Sequence, residues 1–163
     1  MGEAVKIRAA TGEDADGISR IYQESAAHHA QLDPERYFIP AREATVDRYG
    51  AGKQHGLEAT DAITLVAELE GEIVGFVDAR LDRSHDPMHR DLVYCHMVEI
   101  AVSTRHQSRG VGAQLLQAAE DWGRGKGAEF ASLEYLVSNT GAADFYQRRM
   151  GYRPAGVLAI KRL

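Results

Sequence analysis

Apolar and polar positions along the chain change their period several times, and each change marks a predicted element. Residues 5–9 alternate as a strand does, and Thr11-Gly12-Glu13-Asp14 follows with a capping residue and first-turn acids. From residue 15 to about 32 the apolar positions Ile18, Ile21, Tyr22 and Ala26 recur at helical spacing, until Asp33-Pro34 interrupts them. The stretch 35–56 is less regular and predicts a second short helix near 44–49. Residues 63–69 and 73–81 read as strands, and Glu70-Gly71-Glu72 between them is too short for a crossover helix, so they pair as a hairpin. After a polar loop at 83–91, a long strand is predicted over 92–102. Leu115, Leu116, Ala119 and Trp122 form the buried stripe of a helix from about 110 to 124, closed by Gly123, Gly125 and Gly127. A strand over 130–137, a helix over 139–150 stopped by Gly151-Tyr152, and a final strand over 157–163 complete the pattern.

A length of 163 residues is the size of one domain, and we expect residues 1–163 to form one. With 44% hydrophobic and 26% charged residues the chain has the composition of an ordinary globular protein. Its 19 Lys and Arg against 24 Asp and Glu leave a net charge of -5, which argues against nucleic acid as a partner and suits a cationic substrate such as an amine. The one cysteine, Cys95, has no internal disulfide partner, consistent with a cytoplasmic location. Glu3, Lys6 and Arg8 interrupt the first ten residues as no signal peptide would, and no run approaches the roughly 20 apolar residues of a membrane span.

The segment Gln107-Ser108-Arg109-Gly110-Val111-Gly112 links the long strand to the clearest helix. A strand, a short turn and a helix starting near Gly110 leave backbone N–H groups unpaired at a helix N-terminus, where the helix dipole also favours an anion. Gly110 and Gly112 allow close approach of a ligand and positive φ, while Arg105 and Arg109 add charge at the rim. A dinucleotide fingerprint would need glycine where Leu115 stands, and no Walker sequence occurs. Glycine spacing alone supports only an anion-binding turn.

Val98-Glu99-Ile100-Ala101-Val102, the segment 107–112, and Asn139, Ala142 and Phe145-Tyr146 together resemble the GNAT superfamily of N-acetyltransferases. The loop fits that family's Q/R-x-x-G-x-G/A signature. The resemblance implies an α/β fold with a mixed sheet: antiparallel N-terminal strands, a central parallel pair (92–102 and 130–137) that splays apart, and about four flanking helices. It also implies acetyl-coenzyme A as cosubstrate, without a metal. Amides of Gln107, Ser108, Arg109, Gly110, Val111 and Gly112 would hold its pyrophosphate. The backbone of Ile100, Ala101 and Val102 would pair with the pantetheine arm, which Asn139 would also contact. One departure is visible: Gly151 follows Tyr146 by five positions where the usual pattern has four, so the helix end is expected to be displaced.

Acetyl transfer needs an amine with a free lone pair, so a base is useful. The resemblance places Glu99 in that role and gives the Tyr146 phenol the task of protonating the departing thiolate. Glu99 also admits a plainer reading, as a strand-end carboxylate that orients the substrate ammonium. Tyr146 could pack on the core beside Phe145, and Asn139 could simply cap its helix. His96 is a reserve base, but three residues along a strand it should face away from Glu99 unless a bulge intervenes. Glu134 would attract a cation. Cys95, four residues before Glu99, lacks an activating partner and reads as a small core residue. His85, Asp86, His89 and Asp91 lie in a loop without recognised metal-ligand spacing.

The reading is therefore an acetyl-coenzyme A-dependent N-acetyltransferase acting directly on a primary amine of a small molecule or protein, with a homodimer expected by analogy. Its rivals are a noncatalytic acyl-coenzyme A-binding regulator and a nucleotide-dependent oxidoreductase. Residues 22–38, including His28 and His29, and residues 152–157 are expected to shape the acceptor site, whose ligand the sequence does not name.

Overall fold

A computed structural model describes residues 4–50, 60–84 and 87–162. Strands β1 (Lys6–Ala9), β2 (Ala62–Leu69), β3 (Glu72–Arg83), β4 (Val93–Val102) and β5 (Phe130–Leu133) alternate with helices α1 (Ala15–Leu32), α2 (Arg42–Gly50), α3 (Val111–Gly125) and α4 (Thr140–Asp144). The sheet order is β1-β2-β3-β4-β5. Its first four strands pair antiparallel, and β5 joins β4 in parallel through the α3 crossover. This is the mixed sheet with four flanking helices that the pattern and the resemblance imply.

The local signals act as their chemistry requires. Thr11 N–H donates to the Asp14 carboxylate (2.8 Å), closing a capping box ahead of α1, and Arg8 grips the same carboxylate at 2.7 and 2.8 Å. At the β2–β3 turn Glu70 and Gly71 both take positive φ, 52° and 78°, as a two-residue hairpin matched to strand twist demands. Alternate strand residues feed two cores. Leu65, Val77, Ala79, Cys95 and Met97 pack under Val111, Leu115, Leu116 and Ala119 of α3. Val66, Phe76 and Ala101 on the other face pack under Ile18 and Ile21 of α1 and Tyr49 of α2. A fully enclosed leucine such as Leu115 or Leu116 contributes about 1.5–3 kcal/mol relative to exposure.

Three expectations need correction. The helix expected to end near 124 ends at Gly125, and Gly127 closes it at φ +89° in a Schellman motif, with Ala128 N–H on the Gly123 carbonyl (2.9 Å) and Gly127 N–H on that of Arg124 (3.0 Å). Gly123, grouped with the closing glycines, lies inside α3. Gly123 is small for another reason: a Cβ there would lie 2.4 Å from Cys95 Cβ and 2.6 Å from its Sγ. β5 ends at Leu133, short of the predicted 137, where its ladder with β4 stops at Met97. The strand expected over 157–163 does not form across the described residues 157–162; this apolar run finds no ladder partner, and an unpaired extended segment gains nothing from strand propensity. Part of the irregular stretch expected over 35–56 lies outside the described residues, but the short helix within it is present as α2.

Gly123→Ala should destabilise the fold by about 1–3 kcal/mol through overpacking against Cys95, measured as a lower midpoint in urea unfolding with an unchanged slope. An unchanged midpoint would show that β4 and α3 can move apart at this contact.

Candidate active site

Two breaks in β4 coincide. On the β5 side the ladder runs Tyr94↔Phe130 to Met97↔Leu133 and stops, so β4 continues to Val102 without β5 beside it. On the β3 side Ala79 pairs with Met97 and Asp78 with Glu99, so Val98 is an extra residue in a bulge. The bulge reverses side-chain parity beyond it. Glu99 therefore shares a face with His96, whose partner is Arg80, rather than with Cys95 four residues earlier.

Parity decides what each candidate touches. Cys95 faces α3, its Sγ 3.4 Å from the Ala119 carbonyl, and burial pushes its thiol up to about 11; it is a core residue away from Glu99. Glu99 faces α1. Ser25 donates to Glu99 Oε1 at 3.3 Å, and burial, followed by the weaker repulsion of Asp78, raises the Glu99 carboxyl above the ordinary glutamate range against the lowering influence of His29, Ser25 and Arg48. His29 Nδ1 lies 2.9 Å from the Ser25 carbonyl. A carbonyl only accepts, so the His29 Nδ1 carries a proton in this contact. Asp78 is itself buried, accepting from Tyr49 Oη and Thr64 Oγ1, each at 2.7 Å.

His96 shares the Glu99 face but is engaged elsewhere. Its Nδ1 lies 3.1 Å from Ser132 Oγ across the β4–β5 ladder, and burial lowers its pKa. The charges acting on it are those of Arg80, Glu134 and Asp82, so Glu134 bears on His96, from an exposed position past the end of β5.

Tyr146 belongs to the core on the α3 face of the sheet. The predicted helix over 139–150 divides into α4 and a π-turn, Phe145–Arg149, in which Met150 N–H reaches back to the Phe145 carbonyl (3.2 Å). A π-turn holds one residue more than a helical turn, which absorbs the extra residue between Tyr146 and Gly151. Tyr146 is buried against the rings of Phe145, Tyr135 and Tyr152, with centroids at 5.2, 5.5 and 6.1 Å. Burial first, and then the charge of Glu99, push its phenol up to about 12, so it keeps its proton at neutral pH. Asn139 caps α4, its Oδ1 accepting from Ala142 N–H at 3.1 Å.

The 107–112 segment has the geometry of an anion cradle. A 3-10 turn (Thr104–His106) leads from β4 into it, and Ser108 and Gly110 take positive φ, 62° and 82°. Gln114 N–H makes the first helical bond, to the Gly110 carbonyl (3.1 Å), so the amides of Val111, Gly112 and Ala113 have no carbonyl partner within α3. Gly110 is required by its φ. Gly112, expected to share that freedom, is helical; a Cβ there would make ordinary contact with Phe145 and Val102 at 3.5 and 3.6 Å. Gln107 Nε2 turns back to the Val102 carbonyl (3.3 Å). Arg105 pairs with Glu72 (2.7 Å), while Arg109 has no ion-pair partner among the described residues.

Among the described residues no group of three metal-ligating side chains forms. His89 contacts Ser84 (2.6 Å) and Asp91 contacts Arg83 (3.6 Å), while His85 and Asp86 lie outside the described residues. No described helix is long and apolar enough to cross a membrane. Sequence reasoning did not single out Ser25, Thr64 or Asp78. Asp78 carried a signal, being a lone acid inside the apolar run of β3. Ser25 carried only its helical spacing of four to His29.

The sequence pattern of the Acetyltransferase (GNAT) family matches residues 18–152, and the chain belongs to that family. It is 33% identical over 106 residues to an N-alpha-acetyltransferase of Sulfurisphaera tokodaii, covering 63% of each chain, so it spans less than two thirds of that relative. It is 26% identical over 151 residues to the uncharacterized N-acetyltransferase YhfO of Bacillus subtilis, covering 91% of this chain and 89% of the relative. A mutant of the BH1408 protein from Bacillus halodurans has the same fold, with a TM-score of 0.85 at 16% identity over 97% of this chain and 99% of that one. AAC(6')-Iy in complex with the bisubstrate analog CoA-S-monomethyl-acetylneamine superposes with a TM-score of 0.71 at 20% identity, covering 99% of both chains.

The raised Glu99 carboxyl makes a stability prediction. Its folded pKa lies above the unfolded value of about 4.3, so the folded state binds the extra proton and loses stability as pH climbs through that window. Glu99→Gln removes the loss while keeping an acceptor for Ser25. Its melting temperature should match or exceed that of the wild type, with a gap that opens above about pH 4.3 and then levels off. A variant that grows less stable than wild type toward neutral pH would mean that the ionised carboxylate is held favourably.

Proposed function

We propose that the chain transfers the acetyl group of acetyl-coenzyme A directly to a primary amine of a small molecule or protein. What supports this reading is that the β4–β5 ladder stops at Met97↔Leu133, just before Glu99 and the 100–102 backbone, that the Glu99 charge is felt by the Tyr146 phenol, and that α3 starts with open amides. Family membership supplies the reaction class, and the aminoglycoside acetyltransferase among the structural neighbours is consistent with a small-molecule acceptor. We read residues 1–163 as one catalytic unit that pairs as a homodimer.

Bound acetyl-coenzyme A supplies a thioester whose carbonyl carbon an amine attacks, with loss of the carbon–sulfur bond. The residues divide the remaining work. Amides from Gln107 to Gly112 hold the pyrophosphate at the positive end of α3, with Arg109 at the rim. The backbone of Ile100, Ala101 and Val102, left without β5, pairs with the pantetheine arm and directs N–H groups at the carbonyl oxygen. Asn139, while capping α4, borders the same arm. Glu99 takes the proton from the ammonium, and its raised affinity for protons suits a base working closer to neutrality than an exposed glutamate would. Tyr146 gives its proton to the sulfur as the thiolate departs. Direct transfer needs no covalent acyl-enzyme, and the buried Cys95 is not recruited.

The test is coenzyme A thiol release with an amine panel, together with acetyl-coenzyme A titration by calorimetry. Glu99→Gln should lower kcat/KM by about 10²–10⁴-fold at pH 7.5. Tyr146→Phe should lower kcat by about 10²-fold while acetyl-coenzyme A binding is retained. The wild-type kcat/KM should rise with pH through an apparent pKa above that of a free glutamate. Binding of acetyl-coenzyme A without turnover of any amine would make the chain a regulator, and binding of NAD in its place would overturn the reading.

A further inference from the structure

Two segments linked to the neighbourhood of Glu99 carry exposed apolar side chains. Tyr37, Phe38 and Ile39 lie in the α1–α2 connection, with Phe38 77% and Ile39 54% exposed. Val157, Leu158 and Ile160, in the segment expected to be a strand, are 82%, 77% and 62% exposed. The two segments meet, since Arg162 reaches Glu35 at 3.3 Å. The connection is also joined to the proposed base: the Tyr37 ring packs tilted against His29 with centroids 5.2 Å apart, and His29 lies one helical turn from Ser25, the residue bonded to Glu99. Exposed apolar side chains grouped on two joined segments point to a binding surface.

The charges around this wall narrow the ligand. Both acids of the α1–α2 connection are already neutralised, Asp33 by Arg36 (2.5 Å) and Glu35 by Arg162. The C-terminal segment 151–162 contains Arg153, Lys161 and Arg162 and no acid at all. A polyamine or aminoglycoside carries several ammonium groups, and each beyond the first would meet paired carboxylates or like charge here. One ammonium can be received by Glu99, while an apolar body gains by covering Phe38, Ile39 and the tail.

Resting on the reading that Glu99 receives the amine, we infer that the acceptor is a monoamine borne on an apolar or aromatic body, which the Tyr37–Ile39 and Val157–Ile160 segments cover. A free aralkylamine and the amino terminus of a peptide with an apolar first residue share this chemistry.

The experiment compares kcat/KM for phenethylamine, a tetrapeptide with an N-terminal leucine, spermidine and an aminoglycoside, using wild type and the Phe38→Ser/Leu158→Ser double variant. Phenethylamine or the peptide should exceed both polycations by at least about tenfold, and whichever is faster identifies the source of the amine. The double variant should raise KM for that acceptor about tenfold, leaving kcat and the KM for acetyl-coenzyme A in place. A preference for spermidine or the aminoglycoside, or a double variant that slows all four alike, overturns the apolar acceptor while leaving the acetyltransferase reading intact. Bound acetyl-coenzyme A with no turnover of any of the four removes both.

Discussion

Everything in the site depends on what happens to β4 between Met97 and Glu99. There the strand loses β5 on one side and slips by one residue against β3 on the other. The first event leaves backbone polar groups on a central strand without a ladder partner, and such groups need satisfaction from a ligand or water. The second turns Glu99 out of the α3-packed core and onto the face where Ser25 and His29 stand. Without the bulge Glu99 would share the face of Cys95 and Met97, among the most tightly buried side chains in the sheet.

The electrostatics follow from that placement. A carboxyl held among buried groups, with the buried Asp78 opposite it in the ladder, holds its proton more tightly than a surface glutamate. Asp78 is fixed by hydroxyls of Tyr49 and Thr64, one from α2 and one from β2, so three elements converge under a single acid. In the α3-side core, burial and then the charge of Glu99 keep the Tyr146 phenol protonated. One group ready to take a proton and another that retains one are thus separated by their environments, which is the pattern acid–base chemistry at neutral pH requires. Ionising Glu99 inside the fold costs stability, and a proposed catalytic residue is where such a cost is tolerated.

The sequence was most legible where a local rule sufficed. The alternation in β2 and β3, the stripe Leu115, Leu116, Ala119 of α3, and the Asp33-Pro34 stop of α1 each report burial or backbone geometry that a few neighbouring residues settle. The reading faltered where an outcome depended on a distant partner. Residues 157–162 have strand composition, but composition does not supply an edge to pair with. Gly123 looked like a helix stop because only the structure shows Cys95 pressed against it. Gly112 needs no positive φ, while Ser108 takes one.

By itself, then, the sequence determined the order of elements, the glycine-bearing strand-to-helix turn 107–112, and the resemblance through Glu99, Asn139 and Tyr146, because each is a pattern of nearby residue types. Family membership agrees with that reading. The extra residue before Gly151 was countable in the sequence, but its accommodation as a π-turn at Phe145–Arg149 was not. Tertiary structure alone decided that His96 and Glu99 share a face, that Cys95 does not, and that Ser25, His29 and Asp78 surround the proposed base. Each of those facts follows from strand register and helix docking. A one-residue slip reverses every side chain beyond it, and no local pattern records where two distant segments come into register.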